Sequence, residues 1–511
     1  MIAQHVSPAD LVGCRYRQVQ RAHHPEIPRT RAAAMRQARF DAARAAVHAR
    51  LPVGAALGDR RRFLRIDVAA HRLDADEDTF AAELATLEAL AAQADLITGA
   101  VFAGMSEGIS WRTGVDLLVR RPDDTYLPVV ISNHRVARPD ARSATPVIAT
   151  SRLGLGAPVE GAFRLRHHAA DGYRLAFAAR ALAELGLDSG VGGSIGQDRS
   201  RAFLTPTAPL QPALDAALAV DLPTGPRRVK ECATCRFWPL CEADLRAADD
   251  ISLYLPGDRA RDFRERGITT VQGLIDAGLG QASDLAAAWR EGIILLRKVD
   301  TVTAPATDVE IDVDMEAYLD QGAYLWGAFD GERYHPFVTW IALGGDAEAE
   351  NFARFWDWLM GRRARARAEG RTFAAYCWSN NGENHWLRMS ARRFAGRTFG
   401  DVRVPSEAEV QEFIAGDEWV DVFKLVRAQL AGPSGLGLKV VAPEAGFTWD
   451  VGDFDGEESV NARRISRGSD AAAMHARSQL LRYNEDDCRA TAAVRHWLRA
   501  GAPGTPRLGA R

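Results

Sequence analysis

Lysine is almost absent from this chain of 511 residues, and arginine supplies nearly all of its positive charge. The only lysines are Lys230, Lys298, Lys424 and Lys439. Six cysteines in so long a chain exclude a disulfide-dense scaffold. No uninterrupted apolar run approaches the roughly eighteen residues that span a bilayer, and nothing resembles a secretory signal. We therefore expect a cytoplasmic protein without membrane association.

The chain is too long for a single hydrophobic core, so its length predicts two or three domains. A net charge of −3 does not by itself indicate nucleic-acid binding. Residues 1–65, however, hold thirteen arginines against four acidic residues, a local balance of 13 − 4 = +9. Such a basic face can follow a phosphate backbone, and a solvated helical surface is the alternative.

Three of the six cysteines lie close together, as Cys232, Cys235 and Cys241 in the pattern C-x2-C-x5-C. Cys14 stands alone near the N-terminus and would be the distant fourth ligand. Four thiolates suit an iron–sulfur cluster. A structural zinc site usually pairs two C-x2-C knuckles, and one is missing here. We favour the cluster, while zinc and unligated buried cysteines remain alternatives.

This cysteine arrangement resembles the iron–sulfur RecB-like nucleases, a group that includes AddB-type and CRISPR-associated exonucleases. The resemblance implies an α/β fold with a restriction-endonuclease-like domain of the PD-(D/E)XK type over residues 1–245. It also implies that a 4Fe–4S cluster bound by Cys14, Cys232, Cys235 and Cys241 clamps this domain without redox chemistry.

The same resemblance implies N-terminal metal ligands. By position these are His48, near the end of a helix predicted over 28–51, and Asp116, on a strand predicted over 114–120. The next strand, 126–132, should carry an acid-x-lysine pair, but no lysine precedes Lys230. Arginine cannot serve as the base. We therefore expect this domain to bind nucleic acid without cutting it.

Two further stretches give weaker predictions of local structure. One precedes the three clustered cysteines and the other follows them. Gly190 to Gly196 lacks the Lys-Ser/Thr of a phosphate-binding loop and predicts a tight hairpin. Residues 246–300 predict a helical connector, in which Gly267 to Val271 resembles a helix-hairpin-helix turn. A simple linker is the alternative.

The strongest catalytic signal is the run of residues 309–316. Alternation places Ile311, Val313 and Met315 on one face of a strand, and the other face carries Asp312, Asp314 and Glu316. Three carboxylates on one face repel each other unless a cation compensates them. The pattern therefore predicts a divalent metal site, followed by an antiparallel hairpin turning at Asp330-Gly331.

Tyr483 and Asp487 are four residues apart and share one face of a predicted helix. A strand with D-x-E followed by a helix with Y-x3-D resembles the DEDD exonucleases of the RNase H-like fold, in their tyrosine subclass. The resemblance implies an RNase H-like domain with a mixed central sheet over 301–511. It also implies that Tyr483 orients the attacking water at two Mg²⁺ or Mn²⁺ ions.

The resemblance requires one more acidic residue between these motifs. Glu383, at the predicted start of a helix, and Asp421 are the candidates, and Glu383 is favoured. The implied metal ligands are therefore Asp314, Glu316, Glu383 and Asp487. Arginines in 362–367 and at 392, 393 and 397 are expected to contact phosphates.

Together the motifs resemble a RecB-like nuclease family that joins an iron–sulfur domain to a C-terminal exonuclease domain of the YprB type. This resemblance implies a metal-dependent 3′–5′ exonuclease that acts on single-stranded DNA in repair or processing, with a helicase as a candidate partner. A non-catalytic nucleic-acid-binding scaffold, recruited to a helicase or repair complex, is the alternative.

Overall fold

The computed structural model describes residues 5–53, 63–68, 76–450 and 456–509. These residues form two compact units that meet in sequence between Thr270 and Val271, inside the predicted connector. Asp59 and Arg60 to Arg62, which contribute to the N-terminal charge, lie outside the described residues. Within the described ranges, no helix is both long and apolar enough to span a membrane.

The first unit contains seven α-helices and ten strands among its described residues. In chain order they are α1 (Tyr16–His23), α2 (Arg31–His48), β1 (Arg65–Asp67), α3 (Asp76–Ala91), β2 (Leu96–Ser106), β3 (Ile109–Arg120), β4 (Tyr126–Ile131), β5 (Ala137–Pro139), β6 (Thr145–Ala149), β7 (Val159–Gly161), β8 (Phe163–Leu165), α4 (Ala169–Glu184), β9 (Val191–Ile195), β10 (Arg201–Pro206), α5 (Gln211–Leu218), α6 (Trp238–Ala247) and α7 (Arg261–Glu265).

Eight of these strands form one mixed sheet in the order β1-β2-β3-β4-β9-β10-β6-β7. The pairs β1/β2 and β4/β9 are parallel and the other pairs are antiparallel. Strand β4 is buried along its whole length, because both of its faces are covered. Helix α4 packs against this sheet, and its Phe177 and Leu182 side chains are buried in the core on that side. The sheet and its helices give the unit a buried core on each side.

The glycine-rich turn predicted at Gly190 to Gly196 is wrong, because residues 191–195 form the central strand β9. A hairpin is nevertheless present, since β9 pairs in antiparallel with β10 and the chain turns between residues 195 and 201. The glycines serve close packing instead. A Cβ on Gly192 would lie 3.1 Å from the Leu175 side chain, and one on Gly193 would lie 3.1 Å from Val129. Small residues there let helix α4 and strand β4 approach the strand.

The second unit contains nine helices and nine strands among its described residues. They are α8 (Val271–Asp276), α9 (Gln281–Arg290), β11 (Leu296–Arg297), β12 (Val309–Tyr318), β13 (Gly322–Phe329), β14 (Tyr334–Val338), α10 (Asp346–Ala368), β15 (Phe373–Cys377), α11 (Asn381–Arg393), β16 (Thr398–Phe399), β17 (Val402–Arg403), α12 (Glu407–Ala415), β18 (Trp419–Asp421), α13 (Val422–Gln429), β19 (Leu430–Ala431), α14 (Leu438–Val441), α15 (Gly456–Ile465) and α16 (Ala471–Arg499).

Five strands of this unit form a central mixed sheet in the order β14-β13-β12-β15-β18. The predicted hairpin is present, since β12, β13 and β14 are antiparallel, whereas β15 and β18 continue the sheet in parallel. Helices α10 and α11 contribute to the core on one face, where Ile311 and Val313 of β12 are buried. Helix α16 lies against the opposite, acidic face of β12. The sequence alternation thus determines which face of β12 meets which helix.

Candidate active site

Strand β12 carries four carboxylates on one face, at Glu310, Asp312, Asp314 and Glu316. Helix α16 crosses this face and presents side chains at helical spacing, among them Asn484, Arg495 and Arg499. The helix begins at an Asp470 cap, whose side chain accepts a hydrogen bond of 2.8 Å from the Ala473 amide. The two elements therefore pair strand carboxylates with helix side chains along their length.

One half of the acidic face is neutralised by arginine. Arg495 donates hydrogen bonds of 2.8 and 3.2 Å to the two carboxylate oxygens of Asp312, and it also contacts Glu310. Arg499 donates a second hydrogen bond of 3.0 Å to Glu310. Burial alone would raise the pKa of Glu310, but the two guanidinium groups hold it at about 2. The prediction that Asp312 shares a metal with its neighbours is corrected here, since Arg495 is its compensating cation.

The other half of the acidic face has neutral partners. Asn484 donates its Nδ2–H to Asp314 over 2.6 Å, and Ser459 donates its hydroxyl to Glu316 over 3.0 Å. Across from them on helix α16, Asp487 accepts a hydrogen bond of 2.8 Å from the Trp449 indole. These donors orient the carboxylates but bring no positive charge.

The pKa values of these three carboxyls are raised, chiefly by burial. Burial, together with the charges of Asp487, Glu316 and Glu383, raises the pKa of Asp314 well above its usual range. Burial also raises the pKa of Glu316 to about 7 and that of Asp487 to about 6. All three side chains keep partial contact with solvent. The carboxylates of this site therefore repel one another, and a cation can reach them from solvent.

The two candidates for the middle acid have different surroundings. Glu383 lies in the first turn of helix α11, where burial and the charges of Asp421 and Glu316 raise its pKa to about 8. Asp421 caps helix α13 and accepts a hydrogen bond of 3.1 Å from the Lys424 amide. Its carboxylate also accepts from the amides of Ser379 and Asn380, at 3.2 and 3.3 Å. Asp421 is thus satisfied by backbone donors, whereas Glu383 adds to the charge acting on Asp314.

Tyr483 lies beside Asp487 and hydrogen-bonds to its carboxylate, which lowers the pKa of Asp487. Burial and the nearby carboxylates raise the pKa of the Tyr483 phenol, so the phenol stays protonated at physiological pH. The Lys439 ammonium lies 5.4 Å from the centre of the Tyr483 ring, and its charge also lowers the pKa of Asp487. Lys439 therefore brings a positive charge close to Tyr483 and Asp487.

No group of three or more histidine, cysteine or acidic side chains in the described ranges has the arrangement of a preformed metal site. At the acidic site, Asp314, Glu316 and Asp487 each accept a hydrogen bond from a protein donor. The donor set nevertheless fits a hard divalent cation, because it consists of carboxylates with raised pKa values and no arginine partner. Each of these hydrogen bonds uses one carboxylate oxygen, and a carboxylate keeps further lone pairs with which it can bind an ion.

In the first unit, Asp116 is buried and already surrounded by cations. Arg44 and Arg174 each donate a hydrogen bond of 2.7 Å to its carboxylate, and the Ile131 amide donates a third of 2.6 Å. Burial would raise the pKa of Asp116, but the two arginines hold it below the usual value. Burial and the charge of Arg65 lower the pKa of His48, and the nearby charge of Asp116 partly opposes this shift. The arginines thus supply the charge that a metal ion would otherwise supply, and a ligand role for Asp116 and His48 stays a prediction.

Cys14 is far from Cys232, Cys235 and Cys241 in the sequence but lies near them in the structure. Burial raises the pKa of Cys241 to about 11, and the charges of Cys14, Cys235 and Cys232 add to this effect. Cys232 and Cys241 are buried, and their sulfurs accept weak hydrogen bonds of 3.4 Å from the Val229 amide and the Gln20 side chain. The four thiols are therefore neighbours, and their soft sulfur donors suit an iron–sulfur cluster or zinc.

Most of the arginines expected to contact phosphates form ion pairs within the second unit. Arg363 and Arg367 bind Glu418, with shortest contacts of 2.5 and 3.0 Å. Arg392, Arg393 and Arg397 pair with Glu407, Glu348 and Asp346 respectively. These five guanidinium groups therefore already have acidic partners, and their contact with phosphates stays a prediction.

Residues 313–499 match a family model of the RNase H superfamily. The chain has a C-terminal RNase H-like domain. The matched segment contains both acidic motifs, and domains of this superfamily indicate a nuclease-type function in nucleic-acid processing, with divalent metals such as Mg²⁺ as cofactors. No curated protein and no solved structure matches the chain.

Sequence reasoning missed several residues of this RNase H-like site. Asn484, Ser459 and Trp449 orient its carboxylates, while Arg495 compensates the adjacent Asp312. Asn484 is adjacent to Tyr483, but its partner Asp314 is 170 positions away. The helical spacing of Asn484, Cys488, Thr491 and Arg495 along α16 was an available signal, since it marks the face that meets β12.

Proposed function

We propose that the C-terminal unit is a metal-dependent exonuclease that degrades single-stranded DNA from its 3′ end, in DNA repair or processing. The observation that carries this proposal is the division of the acidic face. Arginines neutralise Glu310 and Asp312, whereas Asp314, Glu316 and Asp487 meet donors without charge. A domain that leaves three such carboxylates together at neutral pH favours a bound cation.

In this proposal Asp314, Glu316, Glu383 and Asp487 would hold two divalent ions. Such ions activate water and stabilise the attacking and departing oxygens of a phosphodiester. We assign the middle position to Glu383, because the carboxylate of Asp421 accepts three backbone hydrogen bonds at a helix start.

Tyr483 has a positioning role in this proposal. A phenol with a raised pKa keeps its proton, so Tyr483 would hold the attacking water by a hydrogen bond and would not remove its proton. Its contact with Asp487 places that hydroxyl beside the carboxylate group. The Lys439 ammonium, at the Tyr483 ring, adds a positive charge at the point where a phosphate would approach.

We further propose that the N-terminal unit captures nucleic acid without cutting it. Arg44 and Arg174 compensate Asp116, and the strand that should carry the acid-x-lysine pair contains no lysine, since none precedes Lys230 in the sequence. The proximity of Cys14 to Cys241 supports a cluster, of the 4Fe–4S type, that ties the start of the chain to helix α6. A helicase partner fits a nuclease of this kind.

The test is a cleavage assay with the full-length chain and a 5′-labelled single-stranded DNA, in Mg²⁺, Mn²⁺ or EDTA. We expect progressive shortening from the 3′ end with either metal, and its loss in Asp487→Asn, which removes one anionic ligand at constant size. DNA binding without metal-dependent shortening would favour the scaffold function instead. Cleavage that persists in Asp314→Ala and Asp487→Asn would refute the proposed site.

A further inference from the structure

Asn484 is fully buried, and its side chain connects strand β14 with the acidic site. Its Nδ2–H donates to Asp314 over 2.6 Å. Its Oδ1 accepts a hydrogen bond of 2.7 Å from the hydroxyl of Tyr334, at the start of β14. The carboxamide therefore hydrogen-bonds to the acidic site at its nitrogen and to Tyr334 at its oxygen. Tyr334 lies on β14, which is two strands away from β12 in the sheet.

Asp314 and Tyr334 together hold the amide of Asn484 in one orientation. Its hydroxyl is a hydrogen-bond donor to Asn484, and burial together with nearby charges raises its pKa, so the hydroxyl keeps its proton. A flipped carboxamide would place its oxygen against a carboxylate oxygen and its NH₂ against the tyrosine hydroxyl. The carboxylate therefore selects the orientation in which Asn484 donates to Asp314, and the tyrosine hydroxyl holds the opposite end of the amide in place.

Gly327 provides the space for this arrangement. It lies on β13 directly opposite Asp314 in the strand register. A Cβ at this position would lie 1.8 Å from Asn484 Oδ1 and 2.8 Å from the Tyr334 ring. Any larger residue at 327 would displace the carboxamide. Hydrogen bonds thus connect Tyr334 on β14 to Asn484 on α16 and then to Asp314 on β12, and β13 provides the space for them at Gly327.

We propose that Tyr334 and Asn484 form a positioning relay that fixes the rotation of the Asp314 carboxylate for cation binding. This inference rests on the proposed function of the acidic site, and it adds two residues to which neither motif points. Outer residues that orient a metal-binding carboxylate typically affect metal affinity about 10–100-fold. Tyr334 contacts Asn484 and not the carboxylate, so any effect of its hydroxyl on metal affinity must pass through the amide.

The experiment measures Mn²⁺ binding to the full-length chain by isothermal titration calorimetry, without DNA. The variants are Tyr334→Phe, Asn484→Ala and, as a matched control, Tyr318→Phe, which removes the hydroxyl of another buried tyrosine in the same sheet. We expect roughly tenfold weaker Mn²⁺ binding for Asn484→Ala, a several-fold loss for Tyr334→Phe and no change for Tyr318→Phe. Far-ultraviolet circular dichroism checks the fold of each variant.

The outcomes separate this inference from the proposed function. If the unmodified chain binds Mn²⁺ and both relay variants, folded, bind it equally well, the relay is refuted and the proposed function stands. If the unmodified chain binds no Mn²⁺, both are refuted. If Asn484→Ala does not fold, Tyr334→Phe decides alone, because loss of a single hydroxyl preserves the packing of the ring.

Discussion

Replacement of Arg495 by methionine should destabilise the C-terminal unit strongly, because it leaves a buried carboxylate without its cation. The Arg495 side chain is 2% exposed and that of Asp312 is 1% exposed. Arg499 can still bind Glu310, and its charge acts on Asp312 from a distance, but Arg495 is the residue that hydrogen-bonds to Asp312. Removal of one partner from a buried ion pair typically costs about 3–5 kcal/mol. For a domain of this size, that corresponds to a fall in Tm of roughly 6–20 °C.

The loss should depend on pH. Burial raises the pKa of Asp312 to about 6 even with Arg495 present, and removal of the arginine should raise it further. When folding raises the pKa of a carboxyl, the free energy of unfolding of the protein falls as the pH rises from the unfolded-state pKa to the folded-state pKa. The variant should therefore differ more from the unmodified protein at pH 8 than near pH 6, where Asp312 can take up a proton.

Urea unfolding followed by tryptophan fluorescence is a suitable assay, because all of the twelve tryptophans except Trp111 and Trp238 lie in the second unit. The control is the double variant Asp312→Leu with Arg495→Met, which removes both charges and should recover most of the loss. The reasoning is refuted if Arg495→Met costs less than about 1 kcal/mol at pH 8, or if the double variant is no more stable than the single one.

Three further predictions follow from the same structure. Without metal, the protein should lose thermal stability as pH rises from about 5 to 8, since folding raises the pKa of Glu316 to about 7 and that of Glu383 to about 8, and added Mn²⁺ should reverse this loss; a melting temperature that rises over this range would contradict it. Glu383→Gln should abolish cleavage with the fold intact, whereas Asp421→Ala should chiefly lower the melting temperature by removing a helix cap, an effect of about 1 kcal/mol; the reverse pattern would make Asp421 the metal ligand. Protein purified without oxygen should be brown and lose its visible absorbance on reduction, and Cys14→Ser should weaken this colour; stoichiometric zinc without iron would exclude the cluster.

The parts of this fold that could be predicted from sequence are those encoded by local periodicity. The alternation at 309–316 predicted strand β12, and the spacing of Tyr483 and Asp487 placed them on one helix, now seen as part of α16. The turn at Asp330-Gly331 predicted the hairpin of β13 and β14. Each of these signals lies within a few residues of the element that it predicts.

The parts that could not be predicted depend on partners far away in the chain. Asp312 pairs with Arg495 across 183 positions, and no local pattern distinguishes it from Asp314, which has an asparagine partner instead. The same holds in the first unit, where Arg174 binds Asp116 across 58 positions. Gly192 and Gly193 have the local composition of a turn, but packing against Leu175 and Val129 makes them part of a strand.

The central claim is that Asp314, Glu316 and Asp487 form a cation-dependent catalytic site. The most direct test is cleavage of 5′-labelled single-stranded DNA by the full-length chain, measured as Mn²⁺ is added, for the unmodified protein and for Asp487→Asn. We predict shortening from the 3′ end that requires Mn²⁺ and is abolished by the substitution. Cleavage without metal, or equal cleavage by both proteins at every Mn²⁺ concentration, would contradict it.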